Sequence, residues 1–87
     1  MVRVRTKTIL DRRYRQVVSE LGLLRRNAFL TQAELAARTG LGQPDISKIE
    51  AGQRRIDIIE FVDWIAACEA STEDMIGVIE RLRACPA

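Results

Sequence analysis

Histidine is absent from the 87-residue chain, which removes the commonest general base and the commonest metal ligand. Cysteine occurs twice, as Cys68 and Cys85. With no Cys-x-x-Cys pair, zinc-ribbon and dithiol-redox chemistry are not expected, and neither a metal nor a cofactor is called for. Two unclustered cysteines suit a reducing cytoplasm better than a secreted disulfide scaffold. No Gly-rich phosphate loop is present either, so the groups that usually carry catalysis are missing and an enzyme is not expected. No apolar run approaches the roughly 18 residues that a membrane span needs, and no signal-peptide pattern opens the chain. The length is room for one domain, residues 1–87, because domains typically run to about 100–150 residues. A core built from so short a chain is thin, burying only roughly 60–65% of the unfolded surface.

What is present is 47% apolar and 30% charged, the balance of a soluble globular domain rather than a disordered tail. The net charge of +2 conceals an asymmetry. Residues 1–55 hold twelve Lys or Arg against five acids, a net of +7, whereas residues 56–87 hold two Arg against seven acids, a net of −5. A basic front and an acidic rear suit a molecule that turns one side to a polyanion and the other away. A solvated surface whose halves merely differ has the same composition.

Helical spacing of apolar residues recurs along the chain, and no stretch alternates long enough for a strand. The expectation is an all-α fold of five helices. Residues 1–9, with Arg3, Arg5 and Lys7, read as a basic arm, either a loose terminus or a segment that reaches DNA. A first helix is expected over about 11–26, with Val17, Leu21 and Leu24 inward and Asn27 closing it in the left-handed conformation. Thr31-Gln32-Ala33-Glu34 is a capping box that opens a second helix. Gly40 ends that helix where positive φ is needed. A third helix follows after only Gly40-Leu41-Gly42, with Pro44 tolerated in its first turn and Gly52 at its end. Asp57 and Glu60 form another box, opening a helix to about residue 68 whose expected apolar face is Ile58, Phe61, Val62, Ile65 and Cys68. Trp64 is assigned to core packing. The last helix is expected over 71–84. Its apolar group Met75, Ile76, Val78, Ile79 and Leu82 is wider than one stripe requires, which predicts that part of it forms a symmetric dimer contact.

Residues 31–52 carry the functional signal. Two helices of about eight residues joined by so short a turn must cross steeply, the helix-turn-helix arrangement. Ala36 is small where they approach, and Leu35, Leu41, Ile46 and Ile49 lock the angle. The opposite face of the third helix then shows Gln43, Pro44, Ser47, Lys48 and Ala51. Short hydrogen-bonding side chains at the start of a projecting helix fit the DNA major groove, where base edges carry a sequence code. Thr31 and Gln32 at a helix N-terminus, with the loop cations Arg54 and Arg55, are of the kind that binds a phosphate backbone.

At TQAELA, Gly40 and Ile46-Ser47-Lys48-Ile49-Glu50-x-Gly52, the sequence resembles the phage-repressor-like helix-turn-helix family of xenobiotic response element regulators. The resemblance covers roughly residues 11–79 and is densest at 31–52. It implies a five-helix domain with residues 43–51 as the recognition helix. It also implies Gln32 on phosphate, Gln43, Pro44, Ser47 and Lys48 toward the groove, and an Arg25–Glu50 pair joining the first and third helices. Several positions depart from the family pattern. Pro44 offers only apolar contact, Asp45 brings negative charge near the groove, Gly42 replaces a Ser/Thr N-cap, and Phe29 stands where glycine often ends the first helix.

The expected function is therefore sequence-specific binding of double-stranded DNA by a homodimeric, cytoplasmic transcriptional regulator, a repressor on a pseudo-palindromic operator. An antitoxin-type module that holds a small protein partner is the alternative from another class, and a restriction–modification controller is a close variant of the first reading. RNA binding is disfavoured because the candidate face lacks aromatic side chains for base stacking.

Overall fold

A computed structural model describes residues 12–86, and within them the chain forms five helices and no strand. They are α1 (Arg12–Asn27), α2 (Gln32–Thr39), α3 (Gln43–Glu50), α4 (Ile58–Ala67) and α5 (Thr72–Ala84). The basic arm expected at residues 1–9 lies outside the described residues. In packing, α2 crosses both α3 and α4, while α1 lies against α3 and α5. Leu21, Leu35, Ile46, Ile49 and Trp64 are fully buried where these helices meet, with Leu30, Ala36 and Cys68 beside them.

Short polar caps fix where the helices begin. Thr31, Asp57 and Ser71 each accept from the backbone N–H three residues on, while the carboxylates of Glu34, Glu60 and Asp74 reach back to the cap N–H. Each box satisfies two donors that the helix cannot satisfy itself. Gly42 caps α3 with no side-chain bond, and proline follows in the first turn. Gly40 (φ +82°) takes the left-handed conformation that the sequence assigns it, and Gly52 (φ +76°), expected to end α3, takes the same conformation.

Three expectations are corrected. Asn27 stays helical, and Phe29 is the residue with left-handed φ, +60°. The reason is its neighbour. Leu30 is buried, its N–H donates to the Arg25 carbonyl at 3.2 Å, and its own carbonyl accepts from the Arg25 guanidinium at 2.7 Å. The chain must reverse at Phe29 to make those contacts.

The second correction concerns α4. Its buried edge runs through Phe61, Trp64 and Cys68, whereas Ile58 and Val62 are 69% and 53% exposed. Trp64 turns the helix this way, since its indole N–H donates to the Leu21 carbonyl at 3.1 Å and the ring fills the core.

The third concerns the proposed dimer face on α5. Val78 is 2% exposed within the single chain and is therefore a core residue, while Ile76 and Ile79 are half exposed. One buried polar group had no sequence signal. The Glu20 carboxylate accepts from Arg81 through two bonds of 2.6 and 2.7 Å and from Gln16 at 2.8 Å, clasping α1 to α5.

Candidate nucleic-acid interface

The turn between α2 and α3 is held from within. Gly40 N–H donates to the Ala36 carbonyl, and the Thr39 hydroxyl accepts from Leu41 N–H at 3.2 Å while donating to the Leu35 carbonyl. With Leu35 and Ala36 of α2 and Ile46 and Ile49 of α3 all buried, the crossing angle is set by packing. Gln43, Pro44, Ser47, Lys48 and Ala51 are all exposed. At offsets of one, four, five and eight residues they share one face of α3.

A continuous polar chain braces that face. Arg25 donates to Glu50 through Nε at 2.6 Å and Nη2 at 3.0 Å, so the pair that the family resemblance implies is present in two-pronged form. Both side chains are nearly buried, 13% and 12% exposed. The Glu50 carboxylate holds the Arg25 guanidinium above its ordinary pKa, against the opposing effect of burial. Glu50 Oε1 also accepts from Gln32 Nε2 at 3.0 Å. Gln32 Oε1 in turn accepts from Gln43 Nε2 at 3.1 Å. Two residues expected to meet different parts of a duplex, Gln32 and Gln43, are thus bonded to each other.

The groups expected at phosphate stand in different states. The Thr31 hydroxyl accepts from Glu34 N–H at 3.0 Å, and Thr31 N–H donates to the Glu34 carboxylate at 2.8 Å. These bonds from Thr31 hold the Glu34 carboxyl below its ordinary value. The N–H groups of Gln32 and Ala33, in the first turn of α2, have no intrahelical acceptor. Arg54 is already engaged. It donates to both Glu60 oxygens at 3.0 and 2.9 Å, and its Nε lies 3.6 Å from Asp45. The hydrogen bonds from Arg54 hold the Glu60 carboxyl below its ordinary value. Arg55, by contrast, is exposed and makes no ion pair among the described residues.

The sequence reading missed Glu60 as the partner of Arg54, although its place in a capping box beside a loop cation was a legible signal. It also missed Tyr14, whose hydroxyl bonds the backbone of the loop between α3 and α4, a contact across 40 residues with no local signature. A cleft of about 330 Å³ between α1 and α5 is rimmed by Glu20, Glu69, Glu73 and Asp74, with Arg81 among them. Among the described residues no group of three or more His, Cys, Asp or Glu is placed to hold a metal ion, and no helix is long and apolar enough to cross a membrane.

Comparison with known proteins agrees with this geometry. The model of the helix-turn-helix domain matches residues 16–75, from within α1 to the first turn of α5. No curated protein matches the sequence. With its packed α2–α3 pair, exposed α3 face and a match over more than half its length, the chain belongs to the helix-turn-helix domain family, a fold of DNA-binding regulators.

Proposed function

We propose that the protein is a sequence-specific transcriptional repressor that binds a pseudo-palindromic operator as a homodimer, with α3 in the major groove. The observation that carries this reading is the polar chain ending at Gln43. A carboxylate only accepts, so Glu50 requires Gln32 Nε2 to point toward it. Gln32 Oε1 then faces Gln43 and takes one hydrogen of its amide. Gln43 keeps one N–H and a carbonyl oxygen facing outward, the donor–acceptor pair that matches the N7 and N6 edge of adenine. Ser47 and Lys48 extend the same face along the groove, and Pro44 adds apolar contact of the kind a thymine methyl accepts. Gln32, the first turn of α2 and Arg55 supply backbone contacts beside it.

Two-fold symmetry places the two α3 helices about 34 Å apart, in successive major grooves. The pairing surface is drawn from exposed isoleucines: Ile76 and Ile79 of α5, flanked by Met75 and Leu82, and Ile58 and Ile59 of α4 with Val62. The protein acts in the cytoplasm, in keeping with cysteines that are both free thiols.

Selection of bound sequences from random duplex DNA tests the reading directly. An adenine should be enriched at one position of each half-site. Gln43→Ala should relax discrimination there by about 1–3 kcal/mol. With about three to five phosphates met by each subunit, the affinity should fall with a log–log salt slope of roughly −5 to −9. A flat salt response, or a Gln43→Ala variant with unchanged preferences, contradicts the proposal. Copurification with a small protein partner in place of self-association would instead assign the exposed isoleucines to the antitoxin-type alternative.

A further inference from the structure

Tyr14 sits on the first turn of α1, and its half-buried hydroxyl is committed to the loop that follows α3. It donates to the Arg54 carbonyl at 3.2 Å and accepts from the Ile56 N–H at 2.9 Å. These two groups belong to the peptide planes on either side of Arg55, so one oxygen holds both. The Arg55 carbonyl is held as well, accepting from Arg54 Nη1 at 3.0 Å. With both flanking planes fixed, the direction in which the Arg55 side chain leaves the backbone is fixed too. The loop is also anchored beside α3, because Arg54 reaches Asp45 in the first turn of that helix while gripping Glu60 in α4.

The two adjacent arginines therefore divide the work. Arg54 spends its charge on Asp45 and Glu60, cancelling acids next to the exposed face. Arg55 keeps its charge, has an ordered backbone and is exposed. A cation presented from a pre-ordered loop loses less freedom on binding an anion than one on a mobile loop.

We propose that Tyr14 is a positioning residue for the DNA backbone contact, its hydroxyl fixing the loop so that Arg55, and not Arg54, meets a phosphate beside each half-site. This rests on the DNA-binding reading above and assigns a role within it.

The test is a set of dissociation constants for the selected duplex, measured across salt concentrations for wild type, Tyr14→Phe, Arg55→Ala, Arg54→Ala and the Tyr14→Phe/Arg55→Ala and Arg54→Ala/Arg55→Ala double variants, with thermal midpoints alongside. Arg55→Ala should reduce the salt slope by about one per subunit, and Arg54→Ala should not. Tyr14→Phe, which removes a single oxygen, should weaken binding by about 3- to 10-fold. In the Arg55→Ala background that effect should largely vanish, because the group being positioned is gone. Additive effects overturn the proposal, as does a Tyr14→Phe variant that melts earlier yet binds as wild type. Loss of a further slope unit when Arg54→Ala is added to Arg55→Ala overturns it independently, whether or not Tyr14→Phe folds. A wild-type protein that binds no duplex at any salt concentration sinks the DNA-binding reading itself, and this assignment with it.

Discussion

At the scale of single residues, Phe29 shows how a neighbour can override local preference. A left-handed φ costs an L-residue roughly 1–2 kcal/mol, and glycine escapes that cost. Phe29 bears it at +60° with its ring 92% exposed, because Arg25 holds Leu30 on both its N–H and its carbonyl. Phe29→Gly should therefore raise stability by about 1 kcal/mol, seen as a higher urea midpoint with unchanged slope. A lower midpoint would mean that the ring contributes contacts outweighing the strain. The contrast with Gly40 and Gly52 marks what is readable at this scale. Those two turns were legible because glycine announces the conformation, whereas phenylalanine announces nothing about φ. The exposure of Gln43, Ser47 and Lys48 on one side of α3 was legible from offset alone. The bond between Gln32 and Gln43 was not, since amide orientation follows from Glu50, which lies 18 residues beyond Gln32.

At the scale of elements, starts were more legible than faces. Thr31, Asp57 and Ser71 each begin a helix where a short oxygen-bearing side chain precedes an acid at the third position, and that signal is local. Which side of α4 turns inward is a different matter. Ile58, Phe61 and Val62 have the spacing of an apolar stripe, but burying the larger Trp64 and satisfying its N–H on Leu21 keeps Phe61 inward and leaves Ile58 and Val62 exposed. The clasp between α1 and α5 was equally hidden, because Glu20 and Arg81 are 61 residues apart. It makes a pH prediction. The hydrogen bonds from Arg81 hold the Glu20 carboxyl below its ordinary value of 4.5, against the opposing effect of burial. Its folded value is thus lower than its unfolded one, so the clasp stabilises fully above about pH 4.5 and is lost as pH falls through the lower folded value. Glu20→Gln should cost about 1–2 kcal/mol at pH 7. Once pH has fallen below the lowered folded value, its stability should converge on that of wild type, as urea midpoints across pH would reveal. A difference that persists undiminished at low pH would assign the loss to packing and not to charge.

At the scale of the whole molecule, the proposed homodimer requires a body of 38 × 28 × 18 Å to set two recognition helices about 34 Å apart. The two-fold axis must then pass about 17 Å from each α3, half that spacing. Two apolar surfaces compete for it. On α5, burial of Val78 leaves Ile76 and Ile79, each about half exposed. On α4, Ile58 and Ile59 are 69% and 66% exposed, with Val62 at 53%. The α4 surface is also tied to α3, since Arg54 bridges Asp45 and Glu60 across the intervening loop. A pair formed there transmits its geometry to the recognition helices through one short connection, whereas α5 acts through α1. The expected outcome is that Ile59→Glu converts the dimer to a monomer. Each buried isoleucine contributes about 1.5–3 kcal/mol and a symmetric interface counts it twice, so dimer affinity should fall by about 100-fold or more. Operator binding should weaken in parallel, and its salt slope should drop toward half, because each half-site is then met alone. Ile76→Glu should leave the sedimentation profile of the dimer intact. If Ile76→Glu dissociates the pair and Ile59→Glu does not, the axis belongs to α5, and the recognition helices are held at their spacing through the Glu20–Arg81 clasp instead of the Arg54 bridge.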